Sequence, residues 1–203
     1  MKRHFLTGTL LAGLLLFGFS STTSLSQPLV TLSDDSELWI EGTSSVNSFT
    51  CIAGRVSGEG SFVENRAGRI AEAVVSVPVE AFDCGKSRMN RDFTEALRAD
   101  SHPWIEFRLE KVELSSRDAE SGADSVRVTG RLLIAGSVQT VAIDVLGQLG
   151  TDSTYRATGS LPLLMSDFGI QPPTALFGLI RAHDPITVHF DLLASVRAPN
   201  HTH

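Results

Sequence analysis

Trp104-Ile105-Glu106-Phe107-Arg108-Leu109-Glu110 is the stretch on which the fold turns. Apolar side chains stand at 105, 107 and 109, and charged ones at 106, 108 and 110. That two-residue period belongs to a strand with one face buried and one in water, because a helix would scatter the same residues around its circumference. The pattern continues outward. Val126-Arg127-Val128-Thr129-Gly130-Arg131-Leu132 alternates and runs on to Ile134. After the turn-prone Ala135-Gly136-Ser137, Gln139 to Val145 alternates again, so these two runs read as an antiparallel hairpin. Further strands are expected at about 36–43, 48–63, 68–80, 153–162 and 185–197. In the last, Ile186, Val188, Phe190 and Leu192 share one side and Thr187, His189 and Asp191 the other. The expectation is an all-β chain of eight strands.

One segment departs from period two. Met89, Phe93, Ala96 and Leu97 recur at helical spacing between Ser87 and Ala99, and Pro103 stops any continuation. A second, weaker helical turn is expected over Ala175 to Ile180. Ser115 to Asp124 is polar and reads as an exposed hairpin tip, and the tail from about 198 as frayed.

The chain has 203 residues, 42% hydrophobic, 20% charged and 7% aromatic, with a formal charge of −6 and no basic block. This composition excludes a coiled coil, a disordered chain and a polytopic helical membrane protein. A chain that grips nucleic acid by neutralising phosphates is also excluded.

Residues 1–26 read as a secretory signal peptide. Lys2, Arg3 and His4 precede a charge-free run from Phe5 to Phe19, and the small residues Ser24 and Ser26 suit cleavage before Gln27. The run is shorter than the roughly 20 apolar residues a membrane-spanning helix needs. No cysteine lies near the cut to carry a lipid, so no stable membrane anchor is expected. The remainder, 27–203, reads as a single domain. In an oxidising compartment its two cysteines, Cys51 and Cys84, are expected to form a disulfide. No CxxC pair and no His at ligand spacing points to a metal instead.

Eight half-buried antiparallel strands can form a sandwich or a closed barrel. Glycines at 54, 58, 60, 130, 147 and 159 suit strongly coiled strands, but they also suit bulges in a sandwich. The candidate inward set is Ile105, Phe107, Leu109, Val128, Leu132, Ile134, Val188 and Phe190, with no charge interrupting it and no polar cluster assignable to the interior. Such a set serves a packed core or a lined cavity equally.

Several stretches taken together resemble the YceI-like family of exported, lipocalin-like barrels that bind polyisoprenoid lipids. They are Leu38-Trp39-Ile40-Glu41-Gly42-Thr43-Ser44-Ser45-Val46, Met89-Asn90-Arg91-Asp92-Phe93, Ala99-Asp100-Ser101-His102-Pro103-Trp104-Ile105-Glu106-Phe107, Val128-Thr129-Gly130-Arg131-Leu132 and Asp167-Phe168-Gly169-Ile170. Their order and spacing match over about 30–197. The resemblance implies an eight-stranded antiparallel barrel with one short helix and a hydrophobic tunnel that takes a polyisoprenoid or similar long amphiphile. It implies binding without catalysis or cofactor, in the periplasm or outside the cell. Phe93, Leu97 and Phe168 join the inward set as tunnel lining. Arg88 and Arg91, where the second motif enters the helix, are candidates to meet a diphosphate head group. The cysteines depart from the plainest members, and a bridge between them would tie the second strand to the segment before the helix.

Enzyme signatures are missing. No G-x-S-x-G elbow, H-E-x-x-H helix, P-loop or G-x-G-x-x-G after a strand occurs. His102 and His183 read as loop residues, His189 as outward-facing, and His201 and His203 as part of the tail. Glu41, Glu106 and Asp144 fall at outward strand positions and read as surface charge.

Overall fold

A computed structural model describes residues 29–63, 69–117, 122–150, 154–175 and 179–197. The expected signal segment, 1–26, and the tail from 198 lie outside the described residues.

The two-residue period becomes eight antiparallel strands in a closed barrel. Strand β1 runs in two pieces, Leu29–Leu32 and Glu37–Ser44, and β2 likewise in Ser48–Ala53 and Ser57–Val63. Strand β3 comprises Arg69–Pro78 and Phe82–Asp83, joined by a single 3-10 turn at Val79–Ala81. Then follow helix α1 (Ser87–Ala96), β4 (Trp104–Arg117), β5 (Ala123–Ile134), β6 (Ser137–Leu149), β7 (Thr154–Leu164) and β8 (Ile180–Arg197). Each strand pairs with the next in sequence, and β8 returns to β1 from Leu29↔Arg197 to Gly42↔Ile186. Closure removes the unpaired edges that a sandwich would leave, and this settles the choice the sequence left open.

The breaks in β1 and β2 are stitched to their neighbours. Ser33 N donates to Leu193 O at 2.7 Å, and Leu193 N donates to the buried Ser36 Oγ at 3.1 Å. Gly54 N donates to Ala81 O at 2.8 Å.

One expectation about a connection is corrected. Ser115–Arg117 and Ala123–Asp124 are strand, not hairpin tip, since Ser116 pairs with Ser125 and Arg117 with Asp124. Polar side chains there suggested a loop, but an ion pair across the ladder takes the place of apolar contacts. The helical turn expected over Ala175 to Ile180 has its centre, 176–178, outside the described residues; at its flanks Thr174–Ala175 pairs with Ile180 and Arg181. A 3-10 turn forms earlier, at Met165–Phe168, closed by Gly169 in the left-handed region at φ 67°.

The packed core lies toward one end, hereafter the helix end. Leu97, Leu132, Ile134, Met165, Phe168 and Ile170 form one buried cluster there, and Ile40, Cys51, Val77, Phe82 and Cys84 a second. Outside the barrel, opposite charges meet across strands, as in Arg127–Asp144 at 2.8 Å and Arg131–Glu110 at 3.0 Å. Among the described residues no helix is long and apolar enough to cross a membrane.

Candidate functional site

Alternation carries one side chain in two from every strand into the barrel, and the barrel does not fill. A cavity of about 1140 Å³ remains, above the 300–1,000 Å³ usual for small-molecule pockets. Its wall includes Phe93, Leu97, Ile105, Phe107, Leu109, Val128, Leu132, Ile134, Phe168, Val188 and Phe190, the residues expected to line a tunnel. Leu97 and Phe168 are also fully packed in the core, so they close the helix end of the cavity as much as they face it. The wall reaches the surface at both ends. Val46, in the turn between β1 and β2, is 64% exposed, and at the far end Leu114 and Leu149 are 60% and 70% exposed.

Glycines keep the bore open. At 42, 130, 147 and 159 the inner wall lacks a side chain, and an aromatic ring lies over the gap: Phe49, Phe107, Tyr155 and Phe190 respectively. A Cβ at Gly159 would stand 2.6 Å from the Phe190 ring, at Gly42 and Gly130 it would press into the Phe49 and Phe107 rings, and at Gly147 it would overlap the Tyr155 hydroxyl. The rings therefore lie along the wall instead of crossing the lumen. In the sequence, Gly130, Gly147 and Gly159 suit only coiling or bulges of the strands, and Gly42 stands in a motif with no such mark.

Helix α1 covers part of the helix end. Phe93 packs on Phe82 with ring centroids 5.0 Å apart. Asn90 holds the helix to the strand before it, accepting from Cys84 N at 2.7 Å and donating to Asp83 Oδ1 at 3.0 Å. That hydrogen bond, joined by one from Gly85 N, keeps the Asp83 carboxyl below its usual range. Cys51 and Cys84 are bridged, tying β2 to the segment leading into α1, and both face the cavity. Arg88 stands at the opening and pairs loosely with Asp92 at 3.8 Å. Arg91 is exposed and does not line the cavity.

The expectation of a lumen without polar groups is corrected. Arg117, Asp124 and Tyr155 all lie in the wall at the far end. Two register shifts in β4, after Leu109 and after Leu114, explain why Arg117 was missed. Each adds a residue and reverses the parity, so the inward positions run 105, 107, 109, then 112 and 114, then 117. Asp124 follows from simple alternation on β5 once that strand is extended to Ala123.

Among the described residues, the histidines fall outside this wall. His183 Nδ1 lies 2.8 Å from Thr43 Oγ1, and the His102 ring packs over Gly136. His189 faces outward, stacked on Trp39 with centroids 5.1 Å apart. Its Nε2 is 3.4 Å from Glu41 Oε2 but lacks hydrogen-bond geometry. Among the described residues no cluster of three His, Cys, Asp or Glu could hold a metal ion.

Comparison with known proteins adds to this geometry. The family model for the YceI-like domain matches residues 34–194. No curated protein matches the chain. Among solved structures, a polyisoprenoid-binding domain from Saccharophagus degradans, implicated in plant cell wall breakdown, superposes with a TM-score of 0.62. It is 15% identical, over 84% of this chain and 98% of that one. BcnA of Burkholderia cenocepacia is similar at 0.60 and 19% identity, over 78% and 95%. The YceI protein of Campylobacter jejuni is similar at 0.57 and 15%, over 73% and 85%.

Proposed function

The chain belongs to the YceI-like domain family, and from that premise we propose that it binds a polyisoprenoid or similar long amphiphilic chain inside the barrel, for transport, storage or sequestration outside the cytoplasm. The observation that carries this reading is the apolar cavity itself, open at both ends and too large for an ordinary metabolite. A prenyl chain has no hydrogen-bonding groups, so the wall has to be long, dry and aliphatic and nothing more. At roughly 0.3 kcal/mol per heavy atom, a chain of about 40 carbons reaches on the order of −12 kcal/mol, a nanomolar affinity. The binding function named for the Saccharophagus domain supports the same class of ligand.

Export is supported by the charged start and apolar run of 1–26 and by the disulfide. Binding accounts for the site without a catalytic step. Of the two arginines expected to meet a head group, Arg88 alone stands where a guest would pass.

Organic extraction and native mass spectrometry of the purified protein test the reading. A co-purifying hydrophobic chain, or uptake of an added long-chain prenol at one per protein, is expected. A protein that emerges empty and takes up no such chain overturns it.

A further inference from the structure

The far end of the cavity holds groups that a hydrocarbon chain does not require. Arg117 and Asp124 face each other directly across the β4–β5 ladder. Arg117 Nε donates to Asp124 Oδ1 at 2.7 Å and Nη2 to Oδ2 at 3.0 Å, a two-pronged pair on the inner face. The pair stands at the rim of the cavity, with Arg117 69% exposed and Asp124 28%, whereas a pair such as Arg127–Asp144 sits on the outer surface as an ordinary solubilising contact. On the same side of the wall, Tyr155 of β7 extends its hydroxyl over Gly147, the ladder partner of Asp124, where any side chain would occupy the space of the phenol oxygen. Gly147 thus makes room for a polar tip in an otherwise apolar wall.

The charge state of this group of three is constrained. Arg117 and Asp124 neutralise one another, and the guanidinium holds the carboxyl below its usual range. Burial, and then the negative charge of Asp124, push the Tyr155 hydroxyl above its ordinary value, so it remains a protonated donor at neutral pH. The subsite offers hydrogen-bond donors without net charge. An anionic head would meet a guanidinium already matched and a carboxylate beside it. An alcohol or carbonyl oxygen meets donors and no repulsion.

Resting on the lipid-binding reading above, we propose that Arg117, Asp124 and Tyr155 form a subsite for an uncharged oxygen head group, an alcohol or carbonyl, on the end of the bound chain. Tyr155 donates to that oxygen, and the N–H groups of Arg117 not used on Asp124 supply the second contact. Asp124 acts as a positioning residue that fixes the guanidinium.

The test compares three ligands of equal chain length on the lipid-stripped full chain by calorimetric titration: a prenol, the hydrocarbon lacking its hydroxyl, and the prenyl diphosphate. The parent is expected to bind the prenol about tenfold more tightly than the hydrocarbon, the size of one well-made neutral hydrogen bond. Tyr155→Phe should bring that ratio close to one while leaving hydrocarbon affinity in place, and Gly147→Ala, which displaces the hydroxyl, should do the same. Arg127→Ala, on the outer surface, should leave the ratio unchanged. Hydrocarbon and prenol binding equally to the parent overturns the subsite while leaving lipid binding intact. A diphosphate preferred over the prenol, with the preference lost in Arg117→Gln, overturns the assignment to neutral heads. If none of the three binds, the lipid-binding reading fails and the subsite with it.

Discussion

Removing the disulfide offers the sharpest test of how the helix end is held. Cys51 and Cys84 are 33 positions apart, and cross-linking a loop of that length restricts the unfolded chain by about 3.7 kcal/mol at 25 °C. For a chain of this size each kcal/mol moves the melting temperature by about 2–4 °C. The double variant Cys51→Ala/Cys84→Ala is therefore expected to melt about 7–15 °C below the oxidised parent. Both cysteines are buried, at 1% and 9% exposure, so lost packing adds to the effect. Thermal unfolding of the parent in excess dithiothreitol supplies a control without that packing change. The native fold should persist in both, since Asn90 still ties α1 to the Cys84 segment. A double variant melting within about 2 °C of the oxidised parent would refute the reasoning, because the unfolded chain would then gain little freedom from the cut.

Other outcomes follow from side chains already described. Gly42→Ala meets the Phe49 ring first, so the ring must swing into the bore. A loss of about 1–3 kcal/mol and weaker uptake of long prenols are expected, read by thermal unfolding and titration. Gly130→Ala also strikes the Arg108 carbonyl, so it should destabilise more than Gly42→Ala; equal melting temperatures would count against the geometry. Asn90→Ala strands the Cys84 N–H and should cost about 1–3 kcal/mol in chemical denaturation. For pH, Asp124, Asp144 and Asp191 are held below 3.8 by hydrogen bonds from Arg117, Arg127 and Arg156. A depressed carboxyl contributes fully above its unfolded value and loses that contribution as pH falls through its folded value. The melting temperature should thus be flat between neutrality and about pH 5, and decline shallowly below pH 3.8; a decline beginning at pH 6 would point to histidines instead.

Much of the barrel was legible because its strands obey one parity. Ile105, Phe107 and Leu109, or Val188 and Phe190, announce an inner face wherever the ladder is regular. What periodicity could not provide was closure, which depends on pairing Leu29 with Arg197 across nearly the whole chain. Nor could it show whether the inward residues fill the interior. That depends on rings lying flat over Gly42, Gly130, Gly147 and Gly159, a relation between neighbouring strands with no mark in either alone. Arg117 was hidden by two bulges that each reverse the alternation. Arg91 shows the opposite failure, since a motif placed it beside Arg88 but the helix turns it toward solvent.

These ladders close into a circuit, each strand held to both neighbours, and that shapes how cargo leaves. Between Thr154↔Ser195 and Leu164↔Pro185, for example, β7 and β8 are paired without a break, and even the shorter β6–β7 seam, from Val145↔Gly159 to Leu149↔Tyr155, would have to part as a whole. Sideways escape would require an entire seam of backbone bonds to part together. A long tail must instead be threaded out lengthwise, unit by unit, past whatever stands at the two portals. Residence time should then lengthen with each added unit, so that handover to a recipient is governed by how the tail is drawn out more than by how tightly it is gripped.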